Sequence, residues 1–303
     1  MKYLVIGAGG TGGCIGAFMA KAGKDVTLIA RGEHLRQIKE NGIKILPHKK
    51  DAYYVDVKAT DMDHYEDTPD VIFVCVKYYS IDETVEFIGR IAKPGTLVIP
   101  ILNVYGTGAK MQEKLPDLLV TDGCIYVASE IAAPGVIQMN GDIFRVVYGV
   151  REPEEFDERL KVVESDLKDS DITPILSDNI RRDALQKFSY VSPAATCGQY
   201  YDINSGSIQV EGQCRDTFIA LMREIDALAH AMGIQFEVDI VETNLKILST
   251  LTPESSTSMQ RDCRAGKVSE MDGLIFEVVR MGKKYGVEVP VYEKIARHFG
   301  YDE

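Results

Sequence analysis

Met1-Lys2-Tyr3-Leu4-Val5-Ile6-Gly7-Ala8-Gly9-Gly10-Thr11-Gly12-Gly13 opens the chain, and its reading decides the fold. The short apolar run from Tyr3 to Ile6 reads as a buried parallel strand. It passes straight into Gly7-x-Gly9-x-x-Gly12 and then into Cys14 to Gly23, a helix-like stretch that ends in glycine. Each glycine answers a separate need. Gly7 allows the tight turn, Gly9 lets a pyrophosphate approach the backbone, and Gly12 lets the helix pack close on the strand. Gly10 and Thr11 fall at the helix start, where unpaired N–H groups and the positive dipole end suit an anion. A second strand, Lys24 to Ala30, follows the helix. Strand, glycine turn, helix and strand in that order are the context of a dinucleotide site. A glycine-rich turn without a ligand is the competing reading.

The end of the second strand is where such a site selects its cofactor. An acid there binds the ribose 2′-hydroxyl of NAD, and an arginine accommodates the 2′-phosphate of NADP. Here the chain reads Ile29-Ala30-Arg31-Gly32-Glu33. Arg31 is the nearest charge, and its planar fork suits a phosphate. NADP(H) is therefore the expected cofactor, with Glu33 as the residue that would favour NAD if the loop offered its carboxylate instead.

At 303 residues the chain is long enough for two domains. It is 45% hydrophobic and 26% charged, an ordinary balance for a globular protein. A net charge of −12 argues against nucleic acid and anionic membrane surfaces as partners. No apolar run approaches the roughly 18 residues of a membrane span, and the N-terminus reads as a fold element rather than a signal peptide. A cytoplasmic location is expected. The six cysteines and five histidines are scattered, so neither a disulfide framework nor a metal site is expected.

Strand and helix signals alternate as far as residue 177. Asp70 to Val76 is a continuous apolar run typical of a strand covered on both faces, and Lys77 follows it at once. Thr96 to Leu102 is the next such strand, followed by Asn103. Ligands of open α/β sheets bind beyond the carboxyl ends of strands, which makes Lys77 and Asn103 candidates. A strand-terminal lysine and a turn-forming asparagine are the plain alternatives. Val120 to Ala128, Gly135 to Val150 and Ile172 to Leu176 supply further strands. From 178 onward only helical periodicities appear: 179–199, 207–232, 236–250, 269–285 and 290–299. The fold class is therefore α/β, a Rossmann-type doubly wound domain over 1–177 and an all-helical domain over 178–303. A ligand cleft between the two is expected.

In the first cap helix, Lys187 lies among Leu185, Phe188 and Val191, and Pro193 is expected to kink the helix. A lysine desolvated in a cleft is a candidate acid; a snorkelling surface lysine is the alternative. The second candidate stretch holds Ser258 and Glu270. They stand at positions 258 and 270, so one straight helix would part them by roughly 18 Å. A break at Gly266, with Ser269 capping a fresh helix that holds Glu270 and Asp272, would let both approach one site.

These residues together resemble the ketopantoate reductase (2-dehydropantoate 2-reductase) family. The likeness rests on Gly7-x-Gly9-x-x-Gly12, Arg31, Val76-Lys77, Asn103 with Gly106, and Gln186-Lys187-Phe188. Its most distinctive piece is Ser258-Met259-Gln260-Arg261-Asp262-x-Arg264-Ala265-Gly266-Lys267-x-Ser269-Glu270. The resemblance implies NADPH-dependent reduction of a 2-keto acid, with ketopantoate and pantothenate biosynthesis as the leading expectation. It casts Lys187 as the acid and Glu270 as its partner. Ser258 then stands at the substrate carboxylate, Asn103 at the site wall, and Lys77 near cofactor and substrate. Two positions depart from the family. Val191 stands where its best-known members carry asparagine, so a hydrogen bond to the substrate hydroxyl is either missing or supplied by Ser192 or Tyr190. Val104 replaces the usual glycine. Both make the pocket more apolar, which leaves open a D-2-hydroxy acid dehydrogenase for another branched or aromatic 2-keto acid. A non-catalytic NADP-binding regulator is the reading from another class. A homodimer is the expected assembly.

Overall fold

A computed structural model describes residues 1–302. The chain divides into two compact units: Met1–Leu102 with Gly106–Ile180, and Asn103–Tyr105 with the residues from Arg181 onward.

The first unit begins β1 (Lys2–Ile6), α1 (Gly10–Lys21), β2 (Asp25–Ile29) and α2 (Gly32–Asn41). It continues through β3 (Ile43–Leu46), β4 (Tyr53–Val55), β5 (Lys58–Thr60), β6 (Val71–Val74), α3 (Ile81–Ile91), β7 (Leu97–Pro100) and α4 (Thr107–Lys114). The remainder is β8 (Leu119–Val120), β9 (Asp122–Ala133), β10 (Val136–Gly149), α5 (Arg159–Asp169) and β11 (Thr173–Leu176). Six strands form a parallel sheet in the order β5-β2-β1-β6-β7-β8. Its central strands are buried on both faces because alternate residues serve two cores. Tyr3 and Val5 pack with α1, α5 and β10, whereas Leu4 and Ile6 pack with Ile81, Val85 and Ile88 of α3. The strand order reverses between β1 and β6, and a doubly wound sheet binds its ligand at such a reversal.

Of the strands expected at 120–128 and 135–150, Val120 falls in β8 of this sheet. The rest forms β9 and β10, an antiparallel hairpin within a second sheet of order β11-β10-β3-β4. The hairpin packs against the start of α1. A Cβ on Gly10 would lie 2.7 Å from the Ser129 carbonyl oxygen. The region around 43–60 holds three short strands, and β5 completes the edge of the main sheet beside β2.

The second unit is helical: α6 (Ile180–Tyr201), α7 (Ser205–Gln209), α8 (Gln213–Ala231), α9 (Ile240–Ser249), α10 (Ser258–Arg264), α11 (Glu277–Tyr285) and α12 (Pro290–His298). α6 continues without interruption through Pro193. The expected helix 207–232 is split at Gly212, whose φ of 137° suits only glycine. Glu224 of α8 is buried, and its carboxylate accepts the N–H groups of Val291 and Tyr292 at 2.7 and 3.0 Å, which caps α12. The chain does break at Gly266, whose φ is 64°. Helix resumes only at Met271, so Glu270 precedes it, and Ser269 does not cap a helix holding Glu270. The first turn is a π turn, Asp272–Phe276, which runs on into α11. The six cysteines are free thiols. Among the described residues no helix is long and apolar enough to cross a membrane.

Candidate active site

In the first unit, β1 ends at a glycine turn built for close approach. Gly7 has φ 98°, and a Cβ there would lie 2.9 Å from the Cys75 carbonyl oxygen beyond β6. A Cβ on Gly12 would lie 2.1 Å from the Gly7 carbonyl oxygen, so only glycine lets α1 sit this near the strand. Gly9 is different: a Cβ there meets nothing within 4 Å. The space is open, and Gly9 is the N-cap of α1 with no side chain bonded to the helix amides. This is the exposed N–H geometry that a phosphate requires. The turn thus leaves open, at Gly9, the space that a dinucleotide's phosphates require. Gly10 is turned against the hairpin, and its contribution there is its backbone.

Arg31 is exposed at the N-cap of α2 and makes no ion pair among the described residues. Glu33 is engaged. Arg36 grips it at 2.6 and 2.8 Å and pulls its carboxyl down to about 2, with Gln37 adding a third bond. Of the two charges at the end of β2, Arg31 is the one left to meet a ligand. Lys77 follows β6 and caps a short 3-10 turn, Tyr78–Ser80, on the other side of the strand reversal.

His34, absent from the sequence reading, braces this turn. The Gly135 N–H donates to its Nδ1 at 3.0 Å, so that nitrogen carries no proton. Its Nε2 then donates to the Ala8 carbonyl at 2.7 Å. One neutral imidazole thus ties the glycine turn to the tip of the β9–β10 hairpin. Its partners are remote in sequence, and no local pattern announces them.

In the second unit, Lys187 donates from Nζ to Asn103 Oδ1 at 2.8 Å. Asn103 lines a cavity of about 230 Å³ shared with Val191, Ala194, Leu248, Leu251 and Ser258. Lys187, Val191, Ala194 and Gly198 recur at helical spacing on one stripe of α6, and the last three line the cavity. Ser258 occupies the first turn of α10 because Thr257 and Gln260 form a capping box around it. The Thr257-x-x-Gln260 spacing is a helix-start signal, and it could have been read from the sequence. Gln260 also donates to the Ile203 carbonyl at 2.7 Å. Glu270 is buried at 3% exposure, directly after the break.

Ser192 corrects an expectation. It is fully buried, donates to the Leu274 carbonyl at 2.6 Å, and lies 2.6 Å from the Tyr292 hydroxyl. It is not part of the cavity wall. Five residues along a helix is about 140° of rotation, which turns Ser192 away from the Lys187 stripe and into the core. Tyr190 remains on the wall.

The family model for ketopantoate reductase PanE/ApbA matches residues 3–153, and the model for its C-terminal part matches residues 179–300. A 2-dehydropantoate 2-reductase of Pyrococcus abyssi is 29% identical over 294 residues, covering 96% of this chain and 94% of its own. The crystal structure of 2-dehydropantoate 2-reductase from Methylococcus capsulatus superposes with a TM-score of 0.85 at 25% identity, over 99% of this chain and 96% of that one. The fold is also that of a D-mandelate dehydrogenase solved with NADH and anilino(oxo)acetate, with a TM-score of 0.88, 22% identity, and 98% and 97% of the two chains covered.

Proposed function

The chain belongs to the ketopantoate reductase PanE/ApbA family, whose members are oxidoreductases acting on CH–OH groups, and from this premise we propose that it reduces a 2-keto acid to the 2-hydroxy acid with NADPH. Ketopantoate is the leading substrate, which would place the protein in pantothenate biosynthesis. The observation that carries the reading is Lys187 bonded to Asn103 on the wall of a cavity. It supports an ammonium held beside the place where a small substrate would sit.

The roles follow from the donor chemistry. The glycine turn binds the cofactor's phosphates, and Arg31 meets the 2′-phosphate of NADP. When bound, the reduced nicotinamide supplies the hydride. Asn103 accepts one N–H of Lys187 and so orients the amine. Lys187 gives a proton to the carbonyl oxygen as it becomes an alkoxide, a step in which a positioned acid contributes about 10²–10⁴ in rate. Ser258 donates to the substrate carboxylate. Glu270 hydrogen-bonds the product hydroxyl and supports the charge on Lys187. A cytoplasmic homodimer belongs to the same proposal, and light scattering tests its assembly.

A second reading is favoured by Val191. With Ala194, Leu248 and Leu251 it gives the cavity an apolar wall, which suits a branched or aromatic 2-keto acid without a hydroxyl. A panel of 2-keto acids with NADPH and NADH, followed by loss of nicotinamide absorbance, tests cofactor and substrate together. Tight NADPH binding with no oxidation across the panel would overturn the reductase in favour of a non-catalytic regulator.

A further inference from the structure

We propose that Ser192 is a positioning residue that sets Glu270 relative to the helix carrying Lys187, acting through Leu274. The inference rests on the roles proposed above for Lys187 and Glu270. Ser192 has one hydroxyl proton, and it goes to the Leu274 carbonyl at 2.6 Å. The Tyr292 hydroxyl, 2.6 Å away, must then be the donor to Ser192 Oγ. Leu274 in turn donates its N–H to the Glu270 carbonyl at 2.9 Å. Leu274 is therefore gripped at both ends, by Ser192 on one side and by the backbone of Glu270 on the other.

This linkage matters because the segment directly before Glu270 lies at the surface. Residues 264–268 are exposed, Val268 to 67%, and Gly266 adopts a left-handed turn. The buried bonds on the other side of Glu270 are therefore the firmer reference for its position. Leu274 also sits in the π turn Asp272–Phe276, in which the Glu277 N–H reaches back to the Asp272 carbonyl. Such turns are rare and recur at functional sites. Tyr292 is itself fixed, its N–H held by Glu224 at 3.0 Å. The result is one buried relay, Ser192 to Leu274 to Glu270, referenced to the helix that also bears Lys187.

The test compares Ser192→Ala, Tyr292→Phe and Glu270→Gln with wild type. The readouts are kcat, KM, NADPH affinity, Tm and the solvent deuterium isotope effect on kcat. Misplacement of a catalytic group by about 1 Å can cost roughly 10²-fold. Ser192→Ala is expected to lower kcat by about 10- to 100-fold, leave NADPH affinity unchanged, and raise the isotope effect towards that of Glu270→Gln. Tyr292→Phe keeps the Ser192–Leu274 bond, so it should lower Tm by a similar amount while retaining kcat. If Ser192→Ala does not fold, Ser192→Cys replaces it, with a weaker donor of similar size, and an unchanged kcat there overturns the proposal. So does wild-type kcat in Ser192→Ala, or a loss of kcat in Tyr292→Phe that tracks its Tm. Full activity in Glu270→Gln would instead remove Glu270 from the mechanism and the relay's purpose with it.

Discussion

Lys187 and Asn103 stand 84 positions apart in the chain and share a hydrogen bond of 2.8 Å. The amine is thereby held against one side chain whose carbonyl oxygen accepts and whose NH₂ remains available to a ligand. Lys187→Ala should depress kcat by about 10²–10⁴ with NADPH affinity preserved. Asn103→Ala, which removes this acceptor and keeps the amine, should cost less than Lys187→Ala. Steady-state kinetics on both variants, with fluorescence titration of NADPH, check the order.

Arg31 faces outward at the start of α2, while Glu33 is occupied by Arg36 and Gln37. Hydrogen bonds to charged groups contribute about 1.5–3 kcal/mol, so Arg31→Ala should raise KM for NADPH by about 10- to 100-fold. KM for NADH should barely move. Parallel titrations with the two cofactors measure the split, and equal losses would take Arg31 away from the 2′-phosphate.

Val191 tests the substrate. Val191→Asn introduces a donor and acceptor on the cavity wall. A net contribution of about 0.5–1.5 kcal/mol from a new hydrogen bond predicts a gain of roughly 2- to 10-fold in kcat/KM for ketopantoate over a wholly apolar 2-keto acid. The ratio of specificity constants decides the matter.

His34 makes two bonds that two substitutions can separate. Asparagine carries a carbonyl near the place of Nδ1 and keeps the Gly135 contact, whereas glutamine carries an amide near the place of Nε2 and keeps the Ala8 contact. If the Ala8 carbonyl is what steadies the phosphate turn, His34→Asn should weaken NADPH binding by roughly 10-fold, the scale of one net hydrogen bond, and His34→Gln should weaken it less. Calorimetric titration of the two variants gives the comparison.

Asp166 anchors α5 to β1. Burial opposes its charge, but hydrogen bonds from Lys24 at 2.7 Å and from the Tyr3 hydroxyl prevail and hold its carboxyl below the usual range. A carboxylate whose folded-state pKa is depressed contributes stability above its ordinary value of 3.8 and loses it as pH falls through the lower folded value. Asp166→Asn should therefore destabilise the fold by about 1–3 kcal/mol at neutral pH, and the gap should close below pH 3.8. Denaturant titrations across that range check the sign.

What the sequence made legible was local. The glycine spacing, the apolar runs of β1 and β6 and the break at Gly266 are contained in short windows, and each window states its own geometry. The hairpin against α1 and the His34 brace were not legible, because Gly135 and Ala8 are brought together only by the tertiary fold. Ser192 was misread for a different reason. Ser192 is next to Val191 in the chain, whereas helical rotation turns it about 100° from Val191 and into the core. The same rotation, applied beforehand, would have sent it to the core. The Thr257 and Gln260 box is contained in a four-residue window and fixes where Ser258 stands.

The three residues Asn103–Tyr105 group with the helical unit although their flanking segments belong to the other. The division of the chain is therefore not a single cut. A fragment beginning at Arg181 would carry Lys187 yet lack its acceptor, so neither piece is a cassette that can be exchanged between relatives by one splice. A chimera that brings a foreign helical half onto this N-terminal half inherits an unmatched Asn103, and its partner lysine must be retuned with it.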